Sequence, residues 1–194
     1  TKKTSALILV HLYGECCNIK AIKQIIKKKK IFIIEDAAQA HGSYDWSYGK
    51  KGKKVGSIGN LACFSFYPAK NLGAYGDGGA VTTNNKNFYL KLLKLRNLGG
   101  IKKFEHDIVG YNSRLDTIQA YILNNKLKEL NKNNLKRKQN ANFYDNNIFN
   151  TSVKKLNYSK GCVYHQYVIL SKKEKKIKRI FKKNNNKSKK ISAK

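Results

Sequence analysis

The 194-residue chain has no methionine, one proline and one tryptophan, and only 11 acidic residues against 41 lysines and arginines. Each shortage narrows the reading. With Thr1 first and no initiator methionine anywhere, a piece of a longer protein is expected. No apolar run approaches the roughly 20 residues that cross a bilayer, and the start lacks the basic segment, apolar run and small-residue cleavage site of a secretory signal. A cytoplasmic protein is therefore expected. Cys16, Cys17, Cys63 and Cys162 form no C-x-x-C pair, and adjacent Cys16 and Cys17 are poorly placed to bridge or to chelate a metal, so reduced structural thiols and no metal centre are expected.

The scarcity of acid leaves a formal net charge of +30. Such an excess ordinarily points to nucleic acid or an anionic surface, because bound cations release counterions from phosphates. Only Arg96, Arg114, Arg137 and Arg179 are arginines, however, and asparagine accompanies the lysines, as at Asn131, Asn133 and Asn134. Arginine is the usual reader of bases and phosphate forks. Lysine with asparagine reads instead as a compositional bias of the whole chain, which argues against a dedicated nucleic-acid face.

With 41% hydrophobic residues the chain can build a core. Ala6 to Val10 (ALILV) is a short apolar run of the kind expected for a strand buried on both faces. Ile19, Ile22, Ile25 and Ile26 recur at helical spacing over 18–30, and Ile31 to Ile34 is a second apolar strand. Strand, helix and strand in this length predict a βαβ unit and a parallel sheet covered by helices. A third strand is expected over Leu61 to Phe66, an extended stretch over Ala80 to Thr83, and helices over Phe88 to Arg96 and Leu115 to Leu135, the last linking two domains. Residues 172–194 carry 12 lysines and arginines against Glu174 alone, so little core is expected there.

Ligands of open α/β sheets gather at the carboxyl ends of strands, and the second strand ends in Glu35 and Asp36. Gln39 follows closely, Ser65 lies on the next strand, and Lys70 comes five residues later in a loop framed by Pro68, Gly73, Gly76, Gly78 and Gly79. Singly, each has a plain reading: a solvated lysine, a capping aspartate, a small strand serine, a surface glutamine. Together they suit pyridoxal 5'-phosphate. That cofactor needs an amine for covalent attachment, an anion that keeps its ring nitrogen protonated, and hydroxyl or amide donors for its phosphate. Lys70 could serve as both tether and acid/base.

Six blocks of this text, in order, resemble the DegT/DnrJ/EryC1/StrS family of sugar aminotransferases. They are HLYG (His11 to Gly14), IIEDAAQAHGS (Ile33 to Ser43), FSFYPAKNLGAYGDGGAVTTN (Phe64 to Asn84), RNLGG (Arg96 to Gly100), GYNSRLDTIQAYIL (Gly110 to Leu123) and YHQYVI (Tyr164 to Ile169). The resemblance implies an α/β fold, the three-layer PLP fold type I of aspartate aminotransferase, with a smaller α+β domain. By position, Lys70 is similar to the cofactor-bearing lysine, Asp36 to the carboxylate on the pyridine nitrogen, Gln39 to a residue beside the ring and Ser65 to a phosphate ligand. Asn112 is similar to an asparagine that reaches the partner's cofactor phosphate across a homodimer. Arg114, His41 and His165 are motif positions open to either site or packing roles.

Retention of Lys70, where related dehydratases carry histidine, implies transfer of an amino group, typically from glutamate, to a keto group of a nucleotide-linked deoxysugar in surface-polysaccharide or amino-sugar biosynthesis. On this resemblance residues 1–125 correspond to the later part of the large cofactor-binding domain, lacking its N-terminal portion. Residues 126–170 start the small domain, and 171–194 are a Lys/Asn-rich tail with little resemblance. The competing reading is a non-catalytic or degenerate product with a basic, anion-binding surface.

Overall fold

In a computed structural model the described residues are 2–149 and 151–183, with side chains at 181–183 excepted. Strand β1 (Ala6–Val10) passes through a short 3-10 turn into helix α1 (Ile19–Ile25) and strand β2 (Phe32–Asp36). The Asn18 side chain accepts from the Ala21 N–H and caps α1. The helix is shorter than the periodicity over 18–30 predicts. Lys27 to Lys30 place four like charges in succession with no acid within a turn, which disfavours continuing the helix.

A small antiparallel pair, β3 (Tyr44–Asp45) and β4 (Lys53–Lys54), precedes β5 (Leu61–Ser65) and β6 (Gly79–Thr82). The main sheet has the order β1-β2-β5-β6. β1, β2 and β5 are parallel, whereas β6 turns back antiparallel on β5. The predicted βαβ unit and third strand are present, so the carboxyl ends of three parallel strands lie along one edge.

Register decides which side chains share a face. Val10 pairs with Asp36 and Asp36 with Cys63. Ile33, Glu35 and Ala62 point to one side and are buried, Ile33 against Ile19 and Ile58. Ile8, Val10, Ile34, Asp36, Cys63 and Ser65 point to the other. Burial of β1 on both faces is therefore corrected: it alternates, with Ile8 67% exposed and Val10 45% exposed, since the Phe88 ring of the later helix meets that face only at Phe32 among the aromatic contacts of the sheet strands.

Helix α2 (Lys86–Arg96) is capped by the Asn85 side chain, which accepts from the Asn87 and Phe88 amides. Helix α3 (Thr117–Asn147) runs 12 residues past Leu135, where the predicted helix ends. Nothing in 136–147 breaks a helix, and Ala141 finds a place against Cys162 and Tyr164. Near its start, Leu123 and Leu130 pack on Leu72 and Ala74. The chain then forms β7 (Lys154–Lys155), paired antiparallel with β8 (Ile169–Leu170), and helix α4 (Glu174–Lys183). That helix was not foreseen; residues 184–194 of the expected tail lie outside the described residues. Among the described residues no helix is long and apolar enough to cross a membrane.

Carboxylates being scarce, many lysines find backbone carbonyls instead. Lys23 Nζ donates to Ile58 O, Lys126 to Gly73 O, Lys138 to Lys160 O and Lys155 to Asp145 O, all at 2.6–2.7 Å. These bonds tie separate segments together without an ion pair.

The densest polar contact is Glu35, 0% exposed. Its carboxylate accepts from the amides of Gly56 (2.8 Å), Ile58 (2.9 Å) and Gly59 (2.5 Å). His11 Nε2 lies 3.1 Å from it, and the Cys17 N–H donates to His11 Nδ1. Because Nδ1 accepts, the ring proton sits on Nε2 and points at Glu35. Burial alone would raise the Glu35 carboxyl; His11 and the amides of Gly59, Gly56 and Ile58 outweigh it and hold the group below the ordinary glutamate value of 4.5. A depressed carboxyl contributes stability above its unfolded value and loses it as pH falls through the folded value. We expect Glu35→Ala, which strands three amides and the His11 N–H, to cost about 3–5 kcal/mol in urea unfolding at neutral pH. The deficit should shrink once the pH falls below the ordinary glutamate value and then through the lower value of the native carboxyl; an equal deficit at neutral and strongly acid pH would contradict this account.

Candidate active site

Asp36 is the last residue of β2, and its Oδ1 accepts from the Ala38 N–H at 3.1 Å, which fixes the carboxylate at the strand end. On the neighbouring strand Cys63 stands opposite it. Burial raises the Cys63 thiol, and the charge of Asp36 raises it further, as expected of two groups on one face. Ser65, two residues on, ends β5 on that same face, its Oγ accepting from the Tyr67 N–H at 3.2 Å.

Gln39 follows in the turn after β2. Its Oε1 accepts from the Tyr13 N–H at 2.6 Å, joining that turn to the end of β1. Tyr13 has φ 60, and the neighbouring Gly14 has φ +93, where an added Cβ would meet Val163 Cγ2 at 2.9 Å. Only glycine fits that close approach without displacing the later segment.

Lys70 lies in a tight turn just past β5, with its N–H on Tyr67 O at 2.9 Å and Ala74 N–H on Phe66 O at 2.8 Å. The side chain is half-buried. Its charge reaches two imidazoles. His41, 3% exposed, packs against Phe64 and Phe66 with ring centroids 5.4 and 6.0 Å away. Burial, then the charges of His165 and Lys70, push it down to about 4 against an opposing pull from the Ser65 backbone. His165 is likewise pushed down to about 4, by burial first, then by Lys70 and Arg137. Both rings are neutral at physiological pH.

Asn112 and Arg114 take their partners elsewhere. Asn112 forms an isolated antiparallel bridge with Asn97, and Arg114 Nη1 donates to Asn97 Oδ1 at 3.1 Å on an exposed surface. No hydrogen bond or ion pair among the described residues joins Asn112 to Asp36, Gln39, Ser65 or Lys70. All four cysteines are free, and no cluster of metal-ligating side chains occurs among the described residues.

Sequence reasoning missed two asparagines. Asn71 donates from Nδ2 to Asn134 Oδ1 at 2.8 Å and to Val163 O at 3.0 Å, while Oδ1 faces His165 Nδ1 at 3.1 Å. Asn134 in turn donates to His41 O at 2.8 Å. Asn71 was detectable as the residue directly after Lys70. Asn134 carried no signal among the many asparagines of α3.

A strand-end carboxylate, a hydroxyl one strand away on the same face, and an amine in the following turn form a donor set that fits pyridoxal phosphate: anion for ring nitrogen, donor for phosphate, amine for covalent attachment. Comparison with known proteins agrees with this class of site. The profile of the DegT/DnrJ/EryC1/StrS aminotransferase family matches residues 1–194, and the chain belongs to that family. It is 45% identical over 144 residues to a "Pleiotropic regulatory protein" of Geobacillus stearothermophilus, covering 74% of this chain and 37% of that one. It is 42% identical over 171 residues to dTDP-3-amino-3,6-dideoxy-alpha-D-galactopyranose transaminase of Aneurinibacillus thermoaerophilus, covering 87% and 46%.

Among solved structures, S. venezuelae DesV in complex with a ketimine intermediate superposes with a TM-score of 0.89 at 32% identity, over 96% of this chain and 50% of that one. The architecture is therefore that of PLP fold type I. The chain spans less than half the length of these curated relatives.

The turn bearing Lys70 closes so tightly that a Cβ on Gly73 would come within 2.4 Å of Pro68 O. Gly73→Ala should displace that turn and lower stability by about 1–3 kcal/mol; a thermal melt matching the parent protein would show that the turn has slack.

Proposed function

We propose that this protein transfers an amino group to a keto group of a nucleotide-linked deoxysugar, using pyridoxal phosphate attached to Lys70. The observation that carries this reading is the placement of Asp36 and Ser65 on one sheet face at the carboxyl edge, with Lys70 in the turn directly beyond. Membership of an aminotransferase family, and a relative whose name specifies a dTDP-amino-sugar transaminase, support it.

When bound, pyridoxal phosphate supplies an electron sink for charge developing on the substrate's amine-bearing carbon. Asp36, held by the Ala38 amide, keeps a negative charge where the pyridine nitrogen would lie and so favours its protonated form. Ser65 offers a hydroxyl donor to the phosphate. Gln39, anchored on the Tyr13 amide, borders the ring. The Lys70 amine, once free, takes and returns a proton at its Nζ. His41 and His165 remain uncharged beside it, so neither adds a fixed cation to the site.

Further parts of the same reading are a glutamate amino donor, a role in surface-polysaccharide or amino-sugar biosynthesis, a cytoplasmic setting, and a homodimer in which Asn112 reaches the partner's cofactor phosphate. The exposure of Asn112 is compatible with that reach. In domain terms residues 1–125 carry the cofactor-binding side, α3 leads out of it, and residues 126–170 begin the smaller domain.

Incubation with pyridoxal phosphate followed by borohydride should fix the cofactor on the peptide containing Lys70, read by mass spectrometry. Lys70→Ala should abolish that adduct, and the same adduct mass in the variant would sink the assignment. Asp36→Asn should keep the adduct but slow amino transfer on the order of 100-fold, since the charge opposite the ring nitrogen is gone.

A further inference from the structure

Two backbone carbonyls orient a chain of side-chain amides around Lys70. The Val163 carbonyl can only accept, so the Asn71 atom 3.0 Å from it is the amide NH2. The second hydrogen of that group goes to Asn134 Oδ1 at 2.8 Å. Asn134 then presents its own NH2 to the His41 carbonyl, again an obligate acceptor, at 2.8 Å. With both hydrogens committed, Asn71 can meet His165 only through Oδ1, 3.1 Å from Nδ1. An amide oxygen has no proton to give, so Nδ1 must carry one.

The ring cannot readily take a second proton. Lys70 and Arg137 are the cations that act on it, His41 is a neighbouring imidazole, and burial opposes charge. A single proton on Nδ1 leaves Nε2 with a bare lone pair, and among the described residues Nε2 takes no hydrogen bond. The backbone on either side is pinned: His165 N–H donates to Tyr13 O at 2.9 Å, Val163 N–H to Gly14 O at 3.1 Å, and Arg137 Nη1 to His165 O at 3.4 Å. That turn also holds Gln39 through the Tyr13 amide.

We propose that Asn71 is a positioning residue that holds His165 in the Nδ1–H form, so that Nε2 is left as an acceptor for a hydrogen-bond donor of the incoming substrate. The substrate's part in this rests on the aminotransferase reading above; the tautomer does not. The opposite tautomer would present an N–H there and turn a donor away. Asn134 matters because it holds the Asn71 amide in the orientation that leaves Oδ1 for the ring.

Nitrogen NMR of the full chain labelled with 15N-histidine tests this directly. The four histidines, His11, His41, His106 and His165, are told apart by loss of one signal set in His165→Gln. His165 should show a protonated Nδ1 and a bare Nε2, unchanged from pH 8 down to about pH 5. In Asn71→Leu, which removes the acceptor, the proton should shift to Nε2 in most molecules. A wild-type His165 with its proton on Nε2, or an imidazolium near neutral pH, would overturn the proposal. So would a folded Asn71→Leu that keeps Nδ1–H. Should that variant fail to fold, the wild-type spectrum decides alone. Failure of Lys70 to take up pyridoxal phosphate would strike the aminotransferase reading and leave the tautomer result standing.

Discussion

A buried carboxylate normally destabilises the fold that contains it, because its charge loses water. Glu35 escapes that outcome because three amides of one loop, those of Gly56, Ile58 and Gly59, and the His11 N–H converge on its two oxygens. The arrangement reaches well beyond the glutamate. It fixes the loop 56–59 that feeds β5, and so the height at which Ser65 emerges relative to Asp36, the very next residue of β2. It also holds His11, from which the Tyr13 turn departs toward Gln39. Three of the proposed cofactor-facing residues thus depend on one ionised group on the opposite face of the sheet.

Alternation is what lets one strand serve both purposes. In β2 the odd positions, Ile33 and Glu35, build and tie the core, while the even positions, Ile34 and Asp36, look the other way. The same division continues into β5, where Ala62 is buried and Cys63 and Ser65 share the face of Asp36. Structural and chemical duties are separated by a half-turn of the backbone, so changes in the core need not touch the charge at the site.

Much of this was legible in the residues. The βαβ pattern, the third strand and the grouping of Asp36 with Ser65 follow from apolar runs and strand ends, which report local geometry faithfully. Helix ends were less legible: the lysine run stops α1 early through repulsion, and α3 outruns its apolar stripe because Ala141 is small enough to pack without advertising itself. Burial of β1 on both faces failed because an apolar run states what a strand tolerates, not what covers it. The amides of Asn71 and Asn134 were invisible for a different reason: their role depends on carbonyls 63 to 93 residues away in the chain.

The lysines that donate to carbonyls bear on how the molecule responds to its solvent. An ion pair weakens when salt screens both partners, but a lysine seated on a carbonyl in a partly dry contact is screened far less. Meanwhile the surplus of unpaired positive charge repels itself across the whole surface, and that repulsion is what dissolved ions relieve. For a chain of net charge +30 held in this way, the expected consequence is stability that rises with ionic strength, the reverse of a fold held chiefly by exposed salt bridges. Its asparagines and carbonyls take over the cohesive part that carboxylates play elsewhere.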